Sequence, residues 1–184
     1  MPHYIAFLRG INLGKRRIKM TDLAARFEEL KFAEVATFIA SGNVIFSSKS
    51  AAGGKLEAQI EQHLHASLGY EVDTFVRTRA EVAAVELAAR RVFSKTDLED
   101  PANTVHAGFL KAELSAAQHR GLEACRSEVD AFRVEGREYY WLCRRIKTHE
   151  SKIWASPEMR ALKLPTSSMR NVKTIRRLAE EFPG

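Results

Sequence analysis

The chain has 184 residues, of which 45% are apolar and 28% charged, and its net charge is +6. This is an ordinary globular balance for one domain or two small ones, with enough apolar side chain to bury a core. A basic surplus suits nucleic acid, a phosphorylated ligand or an anionic surface as partner, but a merely solvated cationic face would give the same number. The two cysteines, Cys125 and Cys143, lie in separate apolar stretches and form no CxxC pair, which argues against a disulfide framework. No basic-then-apolar leader opens the chain, and no apolar run reaches the length of a membrane span. Together these features predict a cytoplasmic protein with no membrane association.

The predicted elements run as follows. Residues 3–10 read as a strand, followed by a loop with two glycines and five cations. A helix starts at Met20 or Thr21, with Thr21 as N-cap and Leu23, Phe27 and Leu30 inward. Residues 34–40 and 43–48 form two strands joined by a hairpin turn at Ser41-Gly42-Asn43. Gly53-Gly54 breaks the chain before a helix with Leu56, Ile60 and Leu64 on one stripe, and residues 71–77 make a fourth strand. The order is β-α-β-β-α-β, a ferredoxin-like half.

The second half repeats the pattern. A helix at 79–91 turns Val82, Val85 and Ala89 inward, and 94–103 is a polar loop. A strand at 104–110, a helix at 114–126 and a hairpin of 131–135 with 138–143 follow. Ser156 caps a helix at 156–163 with Pro157 at its first position. A short edge strand at 166–168 precedes a last helix at 170–182, with Val172, Ile175, Leu178 and Phe182 inward. The expected fold class is α+β: two ferredoxin-like (α/β-plait) halves, 1–78 and 79–184, the second carrying a C-terminal helix.

Strands one to three are apolar on both faces, as in Ile5 and Phe7 against Tyr4, Ala6 and Leu8. Such strands are covered on both sides. The helices of one half cover only one face, so the other must meet the second half or another subunit; a homodimer is left open. An open RNA platform is disfavoured, and Ser41–Ser48 lacks the aromatic signature of the RNA-recognition motif.

Three phrases identify relatives: Leu8-Arg-Gly-Ile-Asn-Leu-Gly14, Lys19-Met20 with Leu23, and Ser41-Gly-Asn-Val-Ile-Phe46. With these, the chain resembles the bacterial domain-of-unknown-function family 1697. The resemblance continues through Val76-Arg77-Thr78, the hairpin Phe132–Leu142, Ser151-Lys152 and Arg170-Asn171…Thr174. It implies two packed α/β-plait halves and no particular activity. Val172 and Lys173 stand where the family's closing motif carries Trp and Asn, so a stacking aromatic implied for relatives is absent here.

Candidate chemistry centres on the first loop. Gly10 and Gly14 are one residue too close for a P-loop, and Arg16 stands where that motif needs Ser or Thr. Backbone N–H groups with Arg9 and Lys15 would still hold an anion. A structural reading competes: the glycines permit a tight turn and Asn12 caps it. Ser41 as nucleophile lacks a base in any recognisable pattern. The histidines, His3, His63, His65, His106, His119 and His149, have no metal-ligand spacing, so neither metal nor cofactor is expected. Ser151-Lys152 are adjacent and therefore a poor dyad. Cations cluster at 15–19, 144–147 and 170–177.

The expected ligand-binding residues are Arg9, Asn12, Lys15, Arg16, Arg17, Ser41, Asn43, Arg170 and Asn171. The expected function is non-enzymatic binding of an anionic ligand, either nucleic acid or a phosphorylated small molecule. The alternative is an enzyme acting on a small phosphorylated or acidic substrate.

Overall fold

A computed structural model describes residues 1–49 and 53–182. It contains two four-stranded antiparallel sheets with helices, as two ferredoxin-like halves and a C-terminal helix. The chain divides into two compact units, Met1–Val82 with the chain end from Leu178, and Ala83–Arg177.

In the first unit β1 (His3–Leu8), β2 (Ala33–Phe38), β3 (Asn43–Ser47) and β4 (Thr74–Thr78) take the order β2-β3-β1-β4. Alternation along β1 sends Tyr4, Ala6 and Leu8 to one face, where they pack with Leu23 and Phe27 of α1 (Met20–Glu29). Leu56, Ile60 and Leu64 of α2 (Gly53–Leu68) complete that core. Ile5, Phe7, Ile45 and Phe75 occupy the other face and are equally buried, at most 1% exposed. Both faces are therefore covered within one chain, and a second copy is not needed to cover them. Phe182, at the chain end, meets the ring of Phe38 edge-on at 6.2 Å.

Two helix starts differ from expectation. Thr21 is not the cap of α1: the helix begins at Met20 behind Lys19, whose side chain makes no cap bond. The Leu23 amide already bonds to the Lys19 carbonyl at 3.0 Å, because the loop delivers Lys19 in an extended conformation. Gly53-Gly54, expected as a break, are the first two residues of α2; residues 50–52 before them lie outside the described residues. A glycine costs little in a first turn, where N–H groups have no intrahelical partner, and the stripe behind carries the helix.

The second unit holds β5 (Thr104–Phe109), β6 (Asp130–Glu135), β7 (Glu138–Cys143) and β8 (Ser168–Asn171) in the order β6-β7-β5-β8. One face packs Phe132, Trp141 and Tyr139 with Leu122 of α5 (Ala116–Ala124) and Met159 of α6 (Pro157–Ala161). Ser115 and Ser156 cap these helices through bonds from Gln118 N and Met159 N. The other face buries Ala107, Phe109, Tyr140 and Leu142. α3 (Arg79–Ala89) follows β4 directly: Thr78 Oγ1 accepts from Glu81 N at 3.2 Å while Glu81 Oε2 accepts from Thr78 N at 2.7 Å.

Two further corrections concern this region. The polar stretch 94–103 contains a five-residue helix, α4 (Lys95–Glu99), capped by Ser94, too short to show a periodicity. The last strand lies at Ser168–Asn171, not 166–168, so Arg170 and Asn171 are strand residues and α7 (Val172–Glu181) starts after them. Pairing with β5 decides this: Gly108 faces Met169 and Ala107 faces Arg170.

The ladders repeat with equal geometry. Ile5 sits between Ile45 and Arg77, as Ala107 sits between Tyr140 and Arg170. Gly108 is required where it stands, because a Cβ there would lie 2.1 Å from the Tyr139 ring. Gly108→Ala is expected to cost about 1–3 kcal/mol in urea unfolding. Adding Tyr139→Leu should recover part of the loss; strict additivity of the two substitutions would refute the steric account.

Candidate functional site

The loop between β1 and α1 is built around Asn12. Its Oδ1 accepts from Ile18 N at 2.8 Å, and its Nδ2 donates to the Ile18 and Ala40 carbonyls at 3.4 and 3.3 Å. One side chain thus closes its own loop and ties it to the turn between β2 and β3. Gly10 and Gly14 take φ of +69° and +60°, the left-handed conformation that reverses the chain here. Arg17 Nη1 donates to the Asn12 and Arg16 carbonyls at 3.3 and 2.7 Å.

The turn is fastened from the other side. Buried Asn43 donates Nδ2 to the Phe38 carbonyl at 3.0 Å and to Ser41 Oγ at 2.9 Å. Gly42 bonds to β1 through Leu8 N at 2.8 Å. Its φ is +76°, and a Cβ there would sit 2.7 Å from Ile11 Cγ2. Ile39 is held at φ +50°, a conformation that β-branched residues rarely adopt and that costs on the order of 1–3 kcal/mol. The Asn12 and Asn43 bonds on either side of Ile39 hold it there.

These clamps leave the cations outward. Lys15, Arg16, Arg17 and Lys19 are exposed, and among the described residues no carboxylate pairs with them. Arg16 lies over the Tyr70 ring at 4.3 Å, and Tyr70 Oη donates to the Ile11 carbonyl at 3.4 Å. Beside the ring runs an open groove lined by Arg17, Lys19, Arg26, Ser67 and Tyr70. Tyr70 is the residue that sequence reasoning missed; a lone Tyr after Gly69 at the end of α2 carries no motif. Arg9 points elsewhere, to Asp73 at 3.4 Å.

The remaining expected residues divide. Arg170 is buried, donating Nη1 to Ser168 Oγ and the Met169 carbonyl, both at 2.9 Å. Burial pushes its pKa down to about 10, which leaves it charged at neutral pH. Asn171 caps α7 by accepting from Lys173 N at 2.8 Å and lines a cavity of the second unit. The loop residues Arg9, Asn12, Lys15, Arg16, Arg17, Ser41 and Asn43 belong to the first unit, and Arg170 and Asn171 to the second. His106, in β5, has its pKa lowered by burial, and its Nδ1 is without a hydrogen-bond partner. Among the described residues no group of His, Cys, Asp and Glu has the makings of a metal site, and no helix is long and apolar enough to cross a membrane.

Fold and surface define a duplicated ferredoxin-like α+β protein with a rigid, cation-bearing loop after its first strand. The Asn12 and Asn43 clamps fall on the two phrases that single out its relatives. The chain belongs to the DUF1697 family, proteins of unknown function, whose model matches residues 1–140. Arg170–Thr174 lies beyond that match. A conserved bacterial protein from Streptococcus pneumoniae, SP0830, has the same fold: TM-score 0.74 at 20% identity, over 100% of this chain and 99% of that one. No curated protein matches the chain.

Asn12→Ala is expected to destabilise the protein by about 1–3 kcal/mol, since it strips a partner from Ile18 N and Ala40 O. Hydrogen exchange is the sharper readout: the Ile18 amide should lose protection. Retained protection at Ile18 would mean the loop does not depend on this side chain.

Proposed function

We propose that this protein binds an anionic ligand without chemical turnover, and that the ligand of the first unit is the phosphate backbone of nucleic acid. One observation carries the reading: four exposed cations, Lys15, Arg16, Arg17 and Lys19, without carboxylate partners, stand on a clamped loop beside the Tyr70 ring. Cations on a rigid loop bind phosphates with little loss of side-chain entropy on the backbone side. A tyrosine at the groove adds a face on which a base stacks, the combination used by single-strand binders. Ser41, the expected nucleophile, is instead engaged in the turn through Asn43, which supports binding over catalysis. The two cysteines are free and buried, which supports a reducing cytoplasm, and the likeness to a bacterial protein supports a bacterial origin.

Binding of a labelled single-stranded oligonucleotide, followed by fluorescence anisotropy, should weaken steeply with salt. Four phosphate contacts give a slope of log K against log salt of about −3. Lys15→Glu with Arg16→Glu is expected to weaken binding by at least about tenfold, with melting unchanged because neither side chain holds the loop. Unaltered affinity would remove these residues from the interface. Tyr70→Ala tests the stacking face at constant charge. Equal, equally salt-sensitive binding of heparin would reduce the interaction to generic electrostatics and overturn the nucleic-acid reading.

A further inference from the structure

The second unit carries a cavity of about 210 Å³ that the first loop plays no part in. Its floor is aliphatic, with Ala89, Leu98, Val105 and Val172. Its polar rim holds Arg90, Lys173, Arg176 and Asp97. Behind the rim, a single oxygen of buried Glu86 accepts from Arg90 Nε at 2.7 Å and from Arg176 Nε at 2.9 Å. Both arginines are thus fixed through Nε, and no protein acceptor holds their Nη groups among the described residues. Arginine recognises carboxylate and phosphate through these outer donors.

Charge and size narrow the ligand. Asp97 is bound bidentately by Arg144, at 2.7 and 3.1 Å, so it does not oppose an incoming anion. Four cations (Arg90, Arg144, Lys173, Arg176) face two carboxylates (Glu86, Asp97), which leaves a surplus of two positive charges. The cavity is smaller than the ~300–1,000 Å³ of sites for drug-sized ligands. No aromatic ring lines it, so it offers a nucleobase nothing to stack on.

We infer that this cavity binds a small dianion, a phosphomonoester or dicarboxylate with a short aliphatic body, on Arg90, Arg176 and Lys173. The inference is independent of the nucleic-acid reading of the first unit.

The test uses the full chain labelled with ¹⁵N and titrated with inorganic phosphate and, separately, succinate, with sodium chloride at matched ionic strength as control. Saturable amide shifts are expected at Thr104, Val105 and Asn171–Lys173 with at least one dianion and not with chloride. Lys173→Glu, which leaves the Glu86 pairs intact, should weaken that dianion at least tenfold. Because removing one arginine leaves Glu86 less compensated, the second variant is Arg176→Gln with Glu86→Gln, and the same loss is expected. Whichever dianion binds more tightly identifies the headgroup. Shifts that never saturate, affinities unchanged in both variants, or loss of binding in Lys15→Glu/Arg16→Glu instead would each overturn the proposal.

Discussion

Two-sided burial of the central strands is the constraint on which the rest of this structure depends. β1 and β5 contribute a side chain alternately to two dry faces, so no position along them is free to carry a solvated polar group. Fully burying one aliphatic or aromatic side chain is worth roughly 1.5–3 kcal/mol. Ile5, Phe7, Ala107 and Phe109 add that on the faces turned away from the helix-packed cores. Exceptions must be bonded in place. Arg77 donates to the Val76 carbonyl at 2.9 Å and lies 3.9 Å from Glu57, and Arg170 is held by Ser168 and Met169. Chemistry open to solvent is therefore pushed to the strand ends and the loops.

This explains why the most recognisable phrases of the chain are largely scaffold. Asn12, Gly42 and Asn43 satisfy backbone groups where β1 leaves the sheet and β2 turns into β3. Such positions admit few replacements: Gly42 has no room for a Cβ, and the Asn12 amide serves three backbone partners at once. The cations sit between these fixed points and bond to little. Identity and display are thus assigned to different residues of one loop.

Much of the fold was legible in the sequence because its signals are periodic. Leu56, Ile60 and Leu64 mark α2, and the apolar strands report their covered faces directly. What could not be read depends on pairing across the chain. Arg170 looked helical because the pattern of Val172, Ile175 and Leu178 runs up to it, yet the ladder with Ala107 makes it a strand residue. That placement turns an expected surface ligand into a buried guanidinium. The site was less legible still. Arg9, Asn12, Lys15, Arg16 and Arg17 share one loop, but nothing local shows that Asn12 faces backbone, that Arg9 meets Asp73, or that Tyr70 lies beneath Arg16.

The repeated ladders add a last step. Arg77 and Arg170 occupy the same register position in the two sheets, so the frame of each half places a buried arginine beside its central strand. The loops above that frame are not alike. The segment after β1 is rich in glycine and cations, whereas the one after β5 is Leu110-Lys-Ala-Glu-Leu114 and leads straight to the Ser115 cap. Conversely, Glu86 with its two arginines and the α4 segment that carries Asp97 surround a cavity only in the second unit. Packing constrains both halves equally and so preserves the frame, while loops free of that constraint diverge. An open cationic loop selects extended polyanions and an enclosed cavity selects small ones, so the two halves of one fold are suited to different anions.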